Sequence, residues 1–180
     1  MFEKTNITPL GYRLLALMSR SSGEEFYLRE LARRTKSSVA GCHSAARPLS
    51  AGGLVVPRRS GRNLYYRVDG TNPAMTYFKV FVNALEVGPV VEHLKPVASS
   101  VTLYGSCSTG RDTEKSDIDL LVLSLDKGAA SEAIGTRTVG GRALNALILS
   151  PHELAELRSR DRAFYDEVQK GLVLWRTEDG

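Results

Sequence analysis

The chain has 180 residues, of which 42% are apolar and 24% charged, a globular composition that excludes a disordered or fibrous protein. Its 24 Lys and Arg against 20 Asp and Glu give a net charge of +4. That sum is uneven: residues 1–70 hold 12 basic and 5 acidic residues, a balance of +7, whereas residues 71–180 hold 12 and 15, a balance of −3. No apolar run approaches the roughly 18 residues of a membrane span. The start MFEKTNITPL has neither an apolar h-region nor a small-residue cleavage site, so the chain reads as cytoplasmic, with no membrane partner. Cys42 and Cys107 stand far apart, without the spacing of a disulfide framework or a zinc site, and are expected as reduced thiols.

Leu10, Leu14, Leu15, Leu17 and Met18 recur at helical spacing behind Thr8 as N-cap and Pro9 at the first helical position, which predicts a first helix. After a turn at 21–23, YLRELARRT predicts a shorter second helix with Leu28, Leu31 and Ala32 inward. A turn at 35–37 leads to Ser38 as the N-cap of a third helix, with Cys42, Ala45, Ala46 and Leu49 inward and His43, Ser44 and Arg47 on the opposite face. Pro48 predicts a kink near Ser44 to Pro48 or an early helix end, because an interior proline removes a hydrogen bond and costs on the order of 3 kcal/mol. Beyond Gly52 and Gly53 the periodicity changes to that of a hairpin, LVV and LYYRV, with Arg58, Arg59 and Arg62 around its tip. Of Tyr65 and Tyr66, which alternate across the strand, one is expected in the core and the other at the surface.

This order of helices and basic hairpin resembles the winged helix-turn-helix family over about residues 5–70. The resemblance implies that the third helix enters the major groove of DNA and the wing contacts the backbone or the minor groove. Ser38, His43, Ser44, Arg47, Arg58, Arg59 and Arg62 are then the expected DNA-contacting set. Protein binding is the other use of such domains.

Asp69, Gly70, Asn72 and Pro73 mark a junction, and AMTYFKVFVNALEV predicts a linker helix over about 74–87 that could pack between domains or pair two copies of the chain. Gly88 and Pro89 are expected to break it, with a short further helix through Val90, Val91 and Leu94. The segment VTLYGSCSTGRDTEKSDIDLLVLS then carries the strongest motif of the chain. A strand through Val101, Leu103 and Tyr104 enters Gly105 and Ser106, where a helix start would aim free N–H groups at a phosphate. Eleven residues after Ser106 come Asp117, Ile118 and Asp119. Two aspartates at i and i+2 of a strand share one face and repel each other, a strain that a divalent cation relieves. Oxygen ligands of this kind suit Mg²⁺ or Mn²⁺.

The motif resembles that of the DNA polymerase β-like nucleotidyltransferases, especially the minimal members, over about residues 75–175. The resemblance implies that Gly105 and Ser106 hold the terminal phosphates of a nucleoside triphosphate, and that Asp117 and Asp119 bind metal. Gly110 matches the glycine that ends the first turn of the spacer, and Ser116 the residue before the first aspartate. Cys107 stands where relatives often have arginine, a charge for which Arg111 is the candidate replacement. Active members carry a third carboxylate on the next strand, and here GRALNALILS offers Asn145, which can ligate metal but cannot act as a base. Farther on, Ser150, Pro151 and Glu153 form an N-cap, N1 proline and capping box.

The sequence therefore predicts an α+β chain of two domains. Residues 1–72 form a winged helix-turn-helix DNA-binding domain, and residues 73–180 a minimal nucleotidyltransferase with a small mixed sheet and flanking helices. The expected activity is Mg-dependent transfer of a nucleoside monophosphate from a triphosphate to a hydroxyl acceptor, with Asp117, Asp119 and Asn145 at its centre. The alternative is a transcription regulator whose second domain binds nucleotide or dimerises without efficient catalysis. A homodimer and a separate protein partner are further expectations.

Overall fold

A computed structural model describes residues 7–21, 23–135 and 137–177; Ser22 of the predicted first turn lies outside them. By contact density the chain divides into two compact units, Met1–Lys79 and Val80–Gly180. In the first, α1 (Pro9–Ser19) starts as predicted, with the Thr8 hydroxyl accepting from the Gly11 N–H. It is followed by β1 (Phe26–Tyr27), α2 (Leu28–Arg34), α3 (Val39–Ala51), β2 (Val55–Ser60) and β3 (Asn63–Val68). The sheet has the order β1-β3-β2. Its core joins Leu14, Leu15 and Met18 of α1, Leu31 of α2, the four predicted inward residues of α3, and Val55, Tyr66 and Val68. Tyr66 is buried and Tyr65 half-buried. Pro57 lies within β2 without harm, because β2 is an edge strand and a missing N–H costs least there.

Of the two expectations at Pro48 the early end is corrected, and so is the break at Gly88 and Pro89. Helix α3 runs past Pro48 to Ala51, so the early end does not occur. The predicted linker helix over 74–87 and the short helix after it are one element, α4 (Pro73–Leu94), which runs through Pro89. In each case the hydrogen bond that proline omits is to the residue four before, Ser44 or Leu85, and both are exposed, so water can serve the carbonyl. Burial of Leu49 in one helix, and of Val87, Val90, Val91 and Leu94 in the other, offsets what remains.

The second unit contains β4 (Ser100–Tyr104), α5 (Gly105–Thr109), β5 (Ile118–Leu123), α6 (Lys127–Ile134), β6 (Thr138–Val139), β7 (Arg142–Leu149), α7 (Pro151–Arg160), α8 (Arg162–Gln169) and β8 (Leu172–Arg176). The five strands follow the order β6-β7-β5-β4-β8. Strand β5 is antiparallel to β4 and parallel to β7, and α6 with β6 makes the crossover that a parallel pair requires. Ile118, Leu120 and Val122 alternate along β5 and are fully buried with Val101, Leu103 and the α4 residues named above. This side of the sheet is the core. No helix among the described residues is long and apolar enough to cross a membrane.

Candidate functional site

The alternation that buries Ile118 and Leu120 turns Asp117 and Asp119 to the other face of the sheet. Register aligns three strands there: Tyr104 is opposite Asp119 across the antiparallel pair, and Asp119 opposite Asn145 across the parallel one. The Asn145 side chain donates from Nδ2 to Asp117 Oδ2 and to Asp119 Oδ1, each at 3.2 Å. An amide donor thus lies between two like charges.

Gly105 holds the turn against this pair. Its φ is +68°, a region costly for residues with a Cβ, and a Cβ placed there would stand 2.9 Å from Asp119 Oδ2. Gly110 ends α5 in the left-handed region, and its N–H donates to the Ser106 carbonyl. Ser116 accepts from the Thr113 N–H at 2.9 Å and so closes the spacer loop on itself. Gly110 and Ser116 act on the backbone path in this arrangement.

Gly105, Ser106 and Arg111 line a cavity of about 380 Å³ together with Glu167 and Lys170. Lys170 escaped the sequence reading, since it lies more than fifty residues beyond the motif and arrives only because α8 and β8 return the chain to β4. Cys107, expected at a position of phosphate-facing charge, is fully buried, so Arg111 and Lys170 are the cations of this cavity. A second cavity of about 610 Å³ borders Tyr104 and Asn145 and is lined further by Arg137 and by residues of α6 and β7. Burial, the Asp119 charge and the Glu167 charge, in that order, push the Tyr104 phenol up, which keeps it neutral.

Asp117 and Asp119 offer carboxylate oxygens of the kind that hold Mg²⁺ or Mn²⁺, and Asn145 would add its amide oxygen only with its side chain turned from the orientation in which it donates to both. Among the described residues, no three His, Cys, Asp or Glu side chains converge on a metal position. A third carboxylate is therefore not supplied from elsewhere in the fold among those residues.

In the first unit, Ser38, His43, Ser44 and Arg47 are exposed on α3, and Arg59 and Arg62 on the hairpin. Burial raises the pKa of the Tyr66 phenol, while Arg47 and Arg59 both act to lower it, which places a cation of the helix and a cation of the wing around one residue. Ser38 also caps α3 by accepting from the Gly41 N–H at 3.0 Å. Arg58 differs from its neighbours: its guanidinium pairs with Glu25 and lies over the Tyr65 ring at 5.1 Å.

Helix, helix, helix and paired hairpin define a winged helix-turn-helix in the first unit. In the second, residues 89–173 match the family model of the nucleotidyltransferase domain, and the unit has that fold. No curated protein matches the sequence. Among solved structures, a homodimeric winged helix-turn-helix DNA-binding domain from Mycobacterium bovis, from a candidate ArsR-family transcriptional regulator, is 22% identical. That match covers 51% of this chain and 79% of the other, with a TM-score of 0.40. A candidate nucleotidyltransferase from Sulfolobus solfataricus is 18% identical, covering 58% of this chain and 90% of the other at a TM-score of 0.39.

Proposed function

We propose that the chain is a nucleotidyltransferase that binds a magnesium nucleoside triphosphate in its second domain (residues 73–180) and DNA through its first (residues 1–72). The observation that carries this reading is the approach of Asp119 to the Gly105 turn, with Asp117 joined to it through Asn145, beside a cavity that holds Arg111 and Lys170. Gly105 and Ser106 would seat the phosphates, with Arg111 and Lys170 offsetting their charge. Asp117, Asp119 and the Asn145 amide oxygen would hold Mg²⁺, which when bound neutralises charge on the phosphoryl oxygens. The cavity beside Tyr104 and Asn145 leaves room for the acceptor. Transfer would place the nucleoside monophosphate on its hydroxyl and release pyrophosphate.

A second reading has one observation in its favour. Asn145 stands where a base would be needed and is occupied in donating to both aspartates. A DNA-binding regulator that senses nucleotide without fast turnover fits that amide better. Labelled ATP, GTP, CTP and UTP, offered with Mg²⁺ and protein, RNA or small-molecule acceptors, separate the two readings. An adduct that disappears in Asp117→Asn supports transfer, and saturable binding without adduct supports the regulator.

A further inference from the structure

Behind the candidate site lies a group of buried polar side chains for which the motif has no use. Arg142, at the start of β7, has only 3% of its side chain exposed, yet it carries a charge. One terminal nitrogen donates to Asp112 Oδ2 at 3.1 Å and to the Cys107 sulfur at 3.3 Å; the other donates to Asn83 Oδ1 and Glu86 Oε2, both at 2.9 Å. Asn83 in turn donates to Asp112 Oδ1 and to the Cys107 carbonyl, each at 3.0 Å. The last link leads back to the site, because the Cys107 thiol donates to the Asp117 main-chain carbonyl at 3.2 Å.

Burying this ion pair is costly. Exchange of such a pair for apolar residues is often neutral or stabilising, so its presence is weak evidence for stability and better evidence for a fixed geometry. The Arg142 Nε, buried without a hydrogen-bond partner, adds to that cost. What the network fixes is identifiable: Cys107 belongs to α5, which follows the phosphate-type turn, Asp112 to the spacer, and Asp117 to the carboxylate pair. The first two meet one guanidinium, and the third is joined to it through the Cys107 thiol.

We propose that Arg142 and Cys107 are positioning residues of the site: the guanidinium orients the Cys107 thiol, and the thiol holds the Asp117 main chain in register with the Gly105–Thr109 turn. This rests on the nucleotide-binding reading above for its functional consequence, but not for its geometry. The thiol suits the task because it donates to the Asp117 carbonyl while its sulfur accepts from Arg142. Removing Arg142 would strand the buried Asp112 charge and endanger folding. The test therefore uses Cys107, whose replacement by Ala deletes both hydrogen bonds at little change in volume and whose replacement by Ser restores a donor and an acceptor.

Two readouts apply to the full chain: the affinity for magnesium ATP, GTP, CTP and UTP, and hydrogen exchange of the amides at 117–119. Loss of the thiol's hydrogen bond to the Asp117 carbonyl predicts about a fivefold weaker affinity in Cys107→Ala. Exchange at 117–119 should be accelerated in that variant more than at amides elsewhere in the second domain, and Cys107→Ser should restore both properties. Wild-type affinity and exchange in the alanine variant would overturn the proposal, as would a serine variant no better than alanine. If the wild-type chain binds none of the four nucleotides while exchange still follows the alanine–serine pattern, the nucleotide reading fails and the positioning of Asp117 stands.

Discussion

The two units use arginine in opposite ways. In the first, Arg47, Arg59 and Arg62 stand in solvent around a helix and a wing, where their charge acts at a distance and tolerates movement. In the second, Arg142 is withdrawn from solvent and bonded to four side chains, so that its value lies in geometry. Net charge is therefore a poor guide to what each half does. The acidic stretch of residues 71–180, with its balance of −3, contains the most constrained cation described, and it also places Arg111 and Lys170 at a cavity beside the Gly105 turn.

The geometric arrangement in the second unit is the more easily disrupted. Gly105→Ala imposes a left-handed conformation that costs about 1–2 kcal/mol, and its methyl group would displace the Asp119 carboxylate. Nucleotide affinity should fall by roughly tenfold, the equivalent of about 1.4 kcal/mol, as read by calorimetric titration. An unchanged affinity would separate the Gly105 turn from the binding site.

The electrostatic end should give a smaller and graded response. Neutralising about six phosphates predicts a log–log salt slope near −5 for DNA binding. Arg59→Ala and Arg62→Ala should each reduce its magnitude by about 1. Arg58→Ala should reduce it less, because Glu25 already pairs with that guanidinium. Binding measured from 50 to 200 mM salt checks this; three equal effects would mean that the Glu25 pair opens on DNA.

The smallest effect concerns the cap of α7. Glu153 accepts from the Lys127 ammonium and the Ser150 N–H, and its pKa is held down to about 2, with the Lys127 hydrogen bond the largest cause. A carboxylate whose folded pKa is depressed contributes stability above its unfolded value of 4.5, and that contribution is lost as pH falls through about 2. Glu153→Gln should lower the melting temperature slightly at pH 7 and flatten its dependence on pH between 4.5 and 2. Parallel melting curves across that window would show that the cap contributes nothing.

Features governed by neighbouring residues were legible in the sequence. The Thr8 and Ser150 caps and the inward set of α3 follow from spacings of a few residues, whereas the place of Asn145 beside Asp119, 26 positions earlier, came from the resemblance to the nucleotidyltransferases. Strand β1 was hidden because its two residues, Phe26 and Tyr27, form a strand only through pairing with Tyr65 and Tyr66. The passage of α4 through Pro89 depends on tertiary burial that outweighs a local penalty. Arg142 bonds to residues 30 to 59 positions away, and Lys170 lies more than fifty residues beyond the motif, so no short window of sequence contains them.

The central claim is that Asp117 and Asp119 beside the Gly105 turn form a site for a magnesium nucleotide. Its most direct test is calorimetric titration of the full chain and of Asp117→Asn with magnesium ATP, GTP, CTP and UTP. The account predicts saturable binding of at least one of them, weakened about 100-fold or more in the variant, at the upper end of what loss of a metal-supporting residue costs. Binding of none of the four, or equal binding by the variant, would contradict it.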